Sequence, residues 1–322
     1  MPLLRSRLIA ATLTLTCATF AINAFAQTPA AAKPATSQPA AKPAAKASPK
    51  ATAKPATRKP KGPAFVPETT INWRGDIVSA RGYTNDLVKD FKTEKKGLLN
   101  LQTFSTISGI DAVIDGSADV AGVARPMYEK RDGEKTLVFQ PVALDAIVPV
   151  VHPRNPVTSI SLAHLRQIYL GRIKNWKDIG GNDVPINLYS VAAPLDGVEY
   201  SFRQLLYKRG DQKVGVPRLY LNTSKLEEGI TLDPAGLGLS TLSSSYANKG
   251  MKMLAVEGIQ ASTSSIANGS YPLFTTLYIV HRSESPNQAR INEFVLFLDS
   301  PPAHAAMRRH QLVPYADAGD VY

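Results

Sequence analysis

From Phe65 onward, short apolar runs alternate with segments whose apolar residues recur every three or four positions. That alternation predicts an α/β architecture with largely parallel sheets. Residues 71–73 predict a strand that ends at Gly75-Asp76, and Leu87, Val88 and Phe91 fall on one helical face. Ser108-Gly109 is expected to open a second helix through Ile110, Val113 and Ile114, with Thr106 and Ser108 as capping hydroxyls. Gly116 is expected to close that helix as a left-handed cap. Residues 120–123 read as a buried strand closing at Arg125-Pro126, and Ser161 caps a helix striped by Leu162, Leu165, Ile168 and Tyr169. Val184, Ile186 and Leu188 alternate as a strand. Val198, Phe202, Leu205 and Leu206 form another apolar helix face, as do Ile291, Phe294, Val295 and Leu298.

Two apolar extended segments, 146–151 and 273–280, lie far apart in the chain. They read as strands through which the chain leaves one domain and later returns to it. A discontinuous domain I (65–147 and 271–322) then flanks a continuous domain II (148–270). Two crossing strands make a hinge, and a hinge between two domains implies a ligand cleft.

The amino terminus changes the picture of charge. Arg5 and Arg7 precede an apolar run over 8–22, followed by Ala24-Phe25-Ala26. This predicts a cleaved signal peptide over 1–26; the run is short and threonine-rich for a membrane span. Residues 27–64 consist almost entirely of Ala, Pro, Lys, Thr and Ser, a composition that buries no core and favours extended segments. At about 3.1 Å per residue such a spacer reaches roughly 100 Å. It reads either as a solvated spacer or as a cationic tether to anionic envelope polymer. The whole chain holds 37 Lys and Arg against 26 Asp and Glu. Ten of the cations (Arg5, Arg7, Lys33, Lys42, Lys46, Lys50, Lys54, Arg58, Lys59 and Lys61) precede Phe65, where no acid occurs, which leaves 27 against 26 in the body. A nearly neutral body argues against a nucleic-acid-binding face.

The single cysteine, Cys17, lies in the signal segment, so the mature chain has no disulfide framework and no thiol nucleophile. Five scattered histidines form no metal-ligand spacing. Neither a Gly-x-Ser-x-Gly elbow, a His-Glu-x-x-His pair nor a phosphate loop occurs, so no enzyme, metal or cofactor is implied.

The run from Leu165 through Gln167-Ile168-Tyr169-Leu170-Gly171 to Asn175-Trp176, with Asp178-Ile179-Gly180-Gly181 and Val184-Pro185-Ile186 after it, is specific. It resembles the second-domain signature of the periplasmic phosphate-binding-protein family of ABC importers. Ser108-Gly109-Ile110-Asp111-Ala112, the stretch from Asp115-Gly116 to Val120-Ala121, and residues 143–150 and 269–273 are similar to the same family in the same order. The resemblance implies a type II periplasmic binding-protein fold: two doubly wound α/β domains joined by a two-strand hinge. It further implies an exported solute-binding protein that captures an oxyanion, phosphate, and hands it to a membrane ABC permease in the periplasm.

A desolvated oxyanion needs many donors, and loops entering helix amino termini supply them. Carried onto this chain, the resemblance implies ligand-binding positions at Gly75, Asp76, Thr106, Ser108, Gly109, Arg125, Asp196 and Gly197. It also implies that a carboxylate accepting a proton from hydrogen phosphate excludes sulfate. The chain departs from the family in all four of its loops: the second, Ser105-Thr106-Ile107-Ser108-Gly109, keeps hydroxyls at Thr106 and Ser108 but loses a glycine. Gly75-Asp76-Ile77-Val78 lacks the expected hydroxyls, Ala124 stands where Ser or Asp is usual, and Asp196-Gly197-Val198 replaces Ser-Gly-Thr with Ala192 at the upstream Arg position. These losses keep open a second expectation: a non-transport envelope or secreted interaction protein on the same fold.

Overall fold

Runs of aliphatic residues buried on both faces define the central strands, as a sheet covered by helices on two sides requires. In the computed structural model the strands are β1 (Thr70–Asp76), β2 (Leu98–Phe104), β3 (Val120–Val123), β4 (Leu137–Val151), β5 (Ser159–Ile160) and β6 (Asn187–Val191). They continue as β7 (Arg218–Tyr220), β8 (Gly236–Thr241), β9 (Lys252–Met253), β10 (Ala255–Val256), β11 (Phe274–Arg282) and β12 (Val313–Pro314). The α-helices are α1 (Ile77–Ser79), α2 (Asn85–Thr93), α3 (Thr106–Asp115), α4 (Leu162–Tyr169), α5 (Gly197–Tyr207), α6 (Thr223–Leu232), α7 (Leu242–Ser245), α8 (Thr263–Ala267), α9 (Gln288–Leu298) and α10 (Pro301–Arg309). The structure describes residues 70–318, apart from 95, 194, 216 and 217. All of these belong to one compact unit, Lys61–Tyr322. The expected signal peptide (1–26) and spacer (27–64) lie outside the described residues.

Ten strands form one sheet along the path β2-β1-β3-β11-β4-β8-β6-β7, with β9 and β12 paired to β4; β5 and β10 form a separate pair. Each end of the path is a parallel trio whose earliest strand lies in the middle: β2-β1-β3 and β7-β6-β8. The antiparallel strands β11 and β4 join the two trios. β4 is one 15-residue strand. It pairs with β11 up to Ala146 and with β8 from Ile147 onward, so its partner changes between those two residues. The part of the fold built on β1–β3 and β11 is called here the first wing, and that built on β6–β8 the second. In each trio the middle strand and its later neighbour send their loops to the same carboxyl end, the end where open α/β sheets bind ligands. Gly75-Asp76, Ala124-Arg125 and Asp196 all leave such strand ends.

Several local elements differ from the sequence reading, each for a visible reason. α3 starts at Thr106, not at Ser108-Gly109, because Ser105 and Ser108 form a reciprocal capping box. Gly109 instead lies inside α3 and lets the helix rest on β1: a Cβ there would stand 2.9 Å from the Gly75 Cα. Gly116 does close α3 in the left-handed conformation, with φ of 83°. The strand expected from Val184 begins only at Asn187, and Val184 is exposed in the approach to it. β2 escaped the pattern because it is an edge strand with exposed Asn100, Gln102 and Phe104. β8 escaped it because its glycines break the apolar run. Gly238 lets α6 pack close to the strand, since a Cβ there would lie 2.6 Å from a methyl of Leu226.

The core follows the apolar faces. Phe91 packs edge-on against Phe294 and Phe297 at 5.6 and 5.3 Å between ring centroids, and Tyr169 packs against Phe202 at 4.8 Å. Trp176 is buried, and its indole donates to the Ala235 carbonyl at 2.9 Å.

Candidate functional site

Strand β1 delivers Asp76 to its carboxyl end, where the residue caps α1. Its carboxylate accepts from the Ser79 amide at 2.7 Å and from the Ser79 hydroxyl at 3.3 Å. The approach of β1 to β3 depends on Gly75, because a Cβ there would stand 2.2 Å from the Gly122 carbonyl oxygen. α3 then places Thr106, fully buried, at the centre of the junction. The Thr106 hydroxyl donates to Asp76 at 3.0 Å, and the Ala124 amide donates to that same hydroxyl at 3.3 Å. From the second wing, Asp196 accepts from the Thr106 amide at 2.8 Å. Gly197 follows at the start of α5; a Cβ on it would lie 2.8 Å from the Thr106 hydroxyl and 3.0 Å from the Ala124 Cβ.

Gly75, Asp76, Thr106, Asp196 and Gly197 therefore meet at one junction between the wings, with Thr106 joining both carboxylates. Gly109 packs behind it on β1. Ser108 turns away, its hydroxyl donating to the Ser105 carbonyl at 2.9 Å.

Arg125 is next to this cluster but its guanidinium is spent. Two of its nitrogens donate to the Glu134 carboxylate at 2.7 and 2.8 Å, with both side chains fully buried. It also donates to the Leu195 carbonyl of the second wing at 2.7 Å and to the Pro126 carbonyl at 2.8 Å. The Tyr200 ring lies 5.3 Å from its guanidinium carbon. Arg125 thus links the wings through backbone and presents its charge to Glu134.

Burial dominates the electrostatics. It pushes the Asp76 carboxyl up to about 6, against the Ser79 and Thr106 hydrogen bonds that favour the charged form. It pushes Asp196 up to about 7, with the negative charge of Asp76 raising it further. At pH 7 Asp76 is therefore largely ionised and Asp196 is near its midpoint, so the junction can accept a proton from a ligand that itself carries an acidic one. A fully ionised oxyanion would meet like charge here.

Sequence reasoning missed several groups around this junction. Ser201 and Thr275 both donate to the Ala124 carbonyl, at 2.9 and 2.7 Å. Ser201 is one turn beyond Gly197, a spacing that could have pointed to it. At one rim, Arg81 pairs with Glu227 at 2.7 Å and donates to Ser224 at 2.9 Å. At another, the Tyr128 hydroxyl and Lys130 reach Asp211 at 3.0 and 3.1 Å. A cavity of about 410 Å³ opens there, lined by Pro126, Tyr128, Lys130, Tyr200, Lys208 and Asp211 among others. Among the described residues, no cluster of three His, Cys, Asp or Glu could hold a metal ion.

Comparison with known proteins fits this architecture. Residues 79–301 match the PBP superfamily domain. The chain is 26% identical over 231 residues to Protein SphX of Synechococcus elongatus, covering 66% of this chain and 68% of the relative. It is 26% identical over 204 residues to the phosphate-binding protein PstS of Bacillus subtilis, covering 63% and 66%. It thus spans about two thirds of the length of these relatives. A putative phosphate ABC transporter substrate-binding protein from Clostridium perfringens, solved with bound phosphate, superposes with a TM-score of 0.69 at 20% identity, over 76% of this chain and 99% of that one. An ABC-type phosphate transport receptor from Vibrio cholerae superposes with a TM-score of 0.60 at 27% identity, over 76% and 99%. The chain belongs to the PBP superfamily, with the type II fold.

Proposed function

We propose that this chain is an exported, periplasmic solute-binding protein that captures phosphate between two domains, 65–147 with 271–322 and 148–270, and delivers it to a membrane ABC permease. The carrying observation is the meeting of Asp76, Thr106 and Asp196 at the carboxyl ends of strands from both wings. Opening about the β4 and β11 crossing would free the Thr106 amide, which Asp196 holds across the wings, as a donor beside the Thr106 hydroxyl. Phosphate brings its own proton to the two carboxylates, whereas sulfate at neutral pH has none to offer. The match to relatives named as phosphate-binding proteins supports the same reading.

Calorimetric titration of the mature chain at pH 7 tests this. Phosphate and arsenate are expected to bind, and sulfate is expected to give no heat. Binding of all three alike would remove the role given to the carboxylates. A second reading, a non-transport interaction protein on this fold, is favoured by one observation: the only arginine in the predicted ligand set, Arg125, is spent on Glu134. Silence toward all three anions would select that reading.

A further inference from the structure

The first amides of a helix have no partner within it and attract anions. In α3, the Ser108 amide is taken by the Ser105 hydroxyl at 3.2 Å. The Thr106 amide, the outermost, is taken by Asp196 from the opposite wing, at 2.8 Å and buried. The Asp196 carboxylate also faces the amides of Ile107 and Gly197. Asp196 is the residue preceding α5, yet its side chain does not cap that helix. Its carboxylate reaches across the junction instead.

The surroundings make this carboxylate an unusual tenant. The charged group that faces it is another acid, Asp76. On the β3 side, Arg125 gives its guanidinium to Glu134 and to backbone carbonyls, and Thr106 and Ala124 present no charge. Among the described residues no cation is paired with Asp196; backbone amides hold it. Gly197 closes against Thr106 and Ala124 at contact distance, leaving that side of the junction packed.

We propose that Asp196 is a built-in anion: its carboxylate occupies the amino-terminal amides of α3 when no solute is present, holds the two wings together, and must be displaced for a solute to enter. Empty and occupied chains are then both closed, and Asp196 sets the threshold for entry. The closure itself does not depend on which solute is taken; only the displacement by phosphate rests on the function proposed above.

Amide hydrogen exchange on the mature chain, without added anion, tests the proposal at Thr106. In the wild type the Thr106 amide is expected to be strongly protected, although first-turn amides are ordinarily open to solvent. In Asp196→Ala it is expected to exchange at least about 100-fold faster, while amides of β8 keep their protection. A Thr106 amide that exchanges freely in the wild type overturns the proposal, and so does one equally protected in Asp196→Ala. Adding inorganic phosphate to Asp196→Ala separates the two readings. Restored protection at Thr106 supports both, whereas unchanged fast exchange leaves the built-in anion standing and removes phosphate as the solute.

Discussion

Arg125→Ala is expected to lower the stability of the folded chain by about 3 kcal/mol, because it leaves the buried Glu134 carboxylate with only Arg131 as a cationic partner. Glu134 is fully buried and accepts from both Arg125 nitrogens, from the Tyr128 amide at 2.9 Å and from Arg131 at 3.1 Å. The paired contacts hold the Glu134 carboxyl below its usual range in spite of burial. The substitution also removes the Leu195 contact that ties the wings. For a domain of this size the loss corresponds to a drop in Tm of roughly 10 °C, read by scanning calorimetry. Arg125→Met combined with Glu134→Leu is expected to recover most of it, since removing both charges leaves none unpaired. A Tm for Arg125→Ala within about 2 °C of wild type would show that the pair is solvated in solution.

The second large effect is a fall in stability with rising pH. Asp145, on β4 just before its partner changes, is fully buried and accepts from the amide and hydroxyl of Ser243. Burial pushes its carboxyl from 3.8 up to about 7. An acid whose pKa is raised by folding holds its proton more tightly in the folded chain. Its contribution is therefore complete below about pH 4 and is lost as pH climbs toward 7. Asp76 and Asp196 act in the same direction. The acids held below their usual range, among them Glu134, Asp86 and Asp233, lose their contribution only at more acidic pH. Between pH 4.5 and 8 the Tm is thus expected to fall steadily. Asp145→Asn is expected to flatten that slope, by an amount on the order of 3 kcal/mol in the unfolding free energy between the two ends. An unchanged slope in Asp145→Asn would mean that Asp145 titrates normally.

The sequence was informative where local physics decides the structure and silent where packing does. The faces of α2, α4 and α9 were legible because burial repeats with the helix period, and 146–151 and 273–280 were legible as extended segments rich in apolar residues. β2 and β8 were not, since an edge strand carries polar residues and a close-packed strand carries glycines. Family order placed Gly75, Asp76, Thr106, Asp196 and Gly197 near one another. It could not show that Asp196 would bond to Thr106 rather than cap α5, because that contact joins positions 90 residues apart. Nor could it show where Arg125 spends its charge. Glu134 follows in a turn (Asp132–Thr136) that no pattern singles out, and only the fold brings the two together.

The most direct measurement compares phosphate titrations of the wild type and Thr106→Val at pH 7, with Tm recorded for each. Valine keeps the volume of the buried side chain and removes the hydroxyl that faces the junction. Capture of phosphate between the wings requires measurable binding by the wild type and a loss of about 10–100-fold in the variant, the worth of a hydroxyl to a charged ligand. Equal affinity in the two proteins would place the anion somewhere other than the meeting point of Asp76, Thr106 and Asp196.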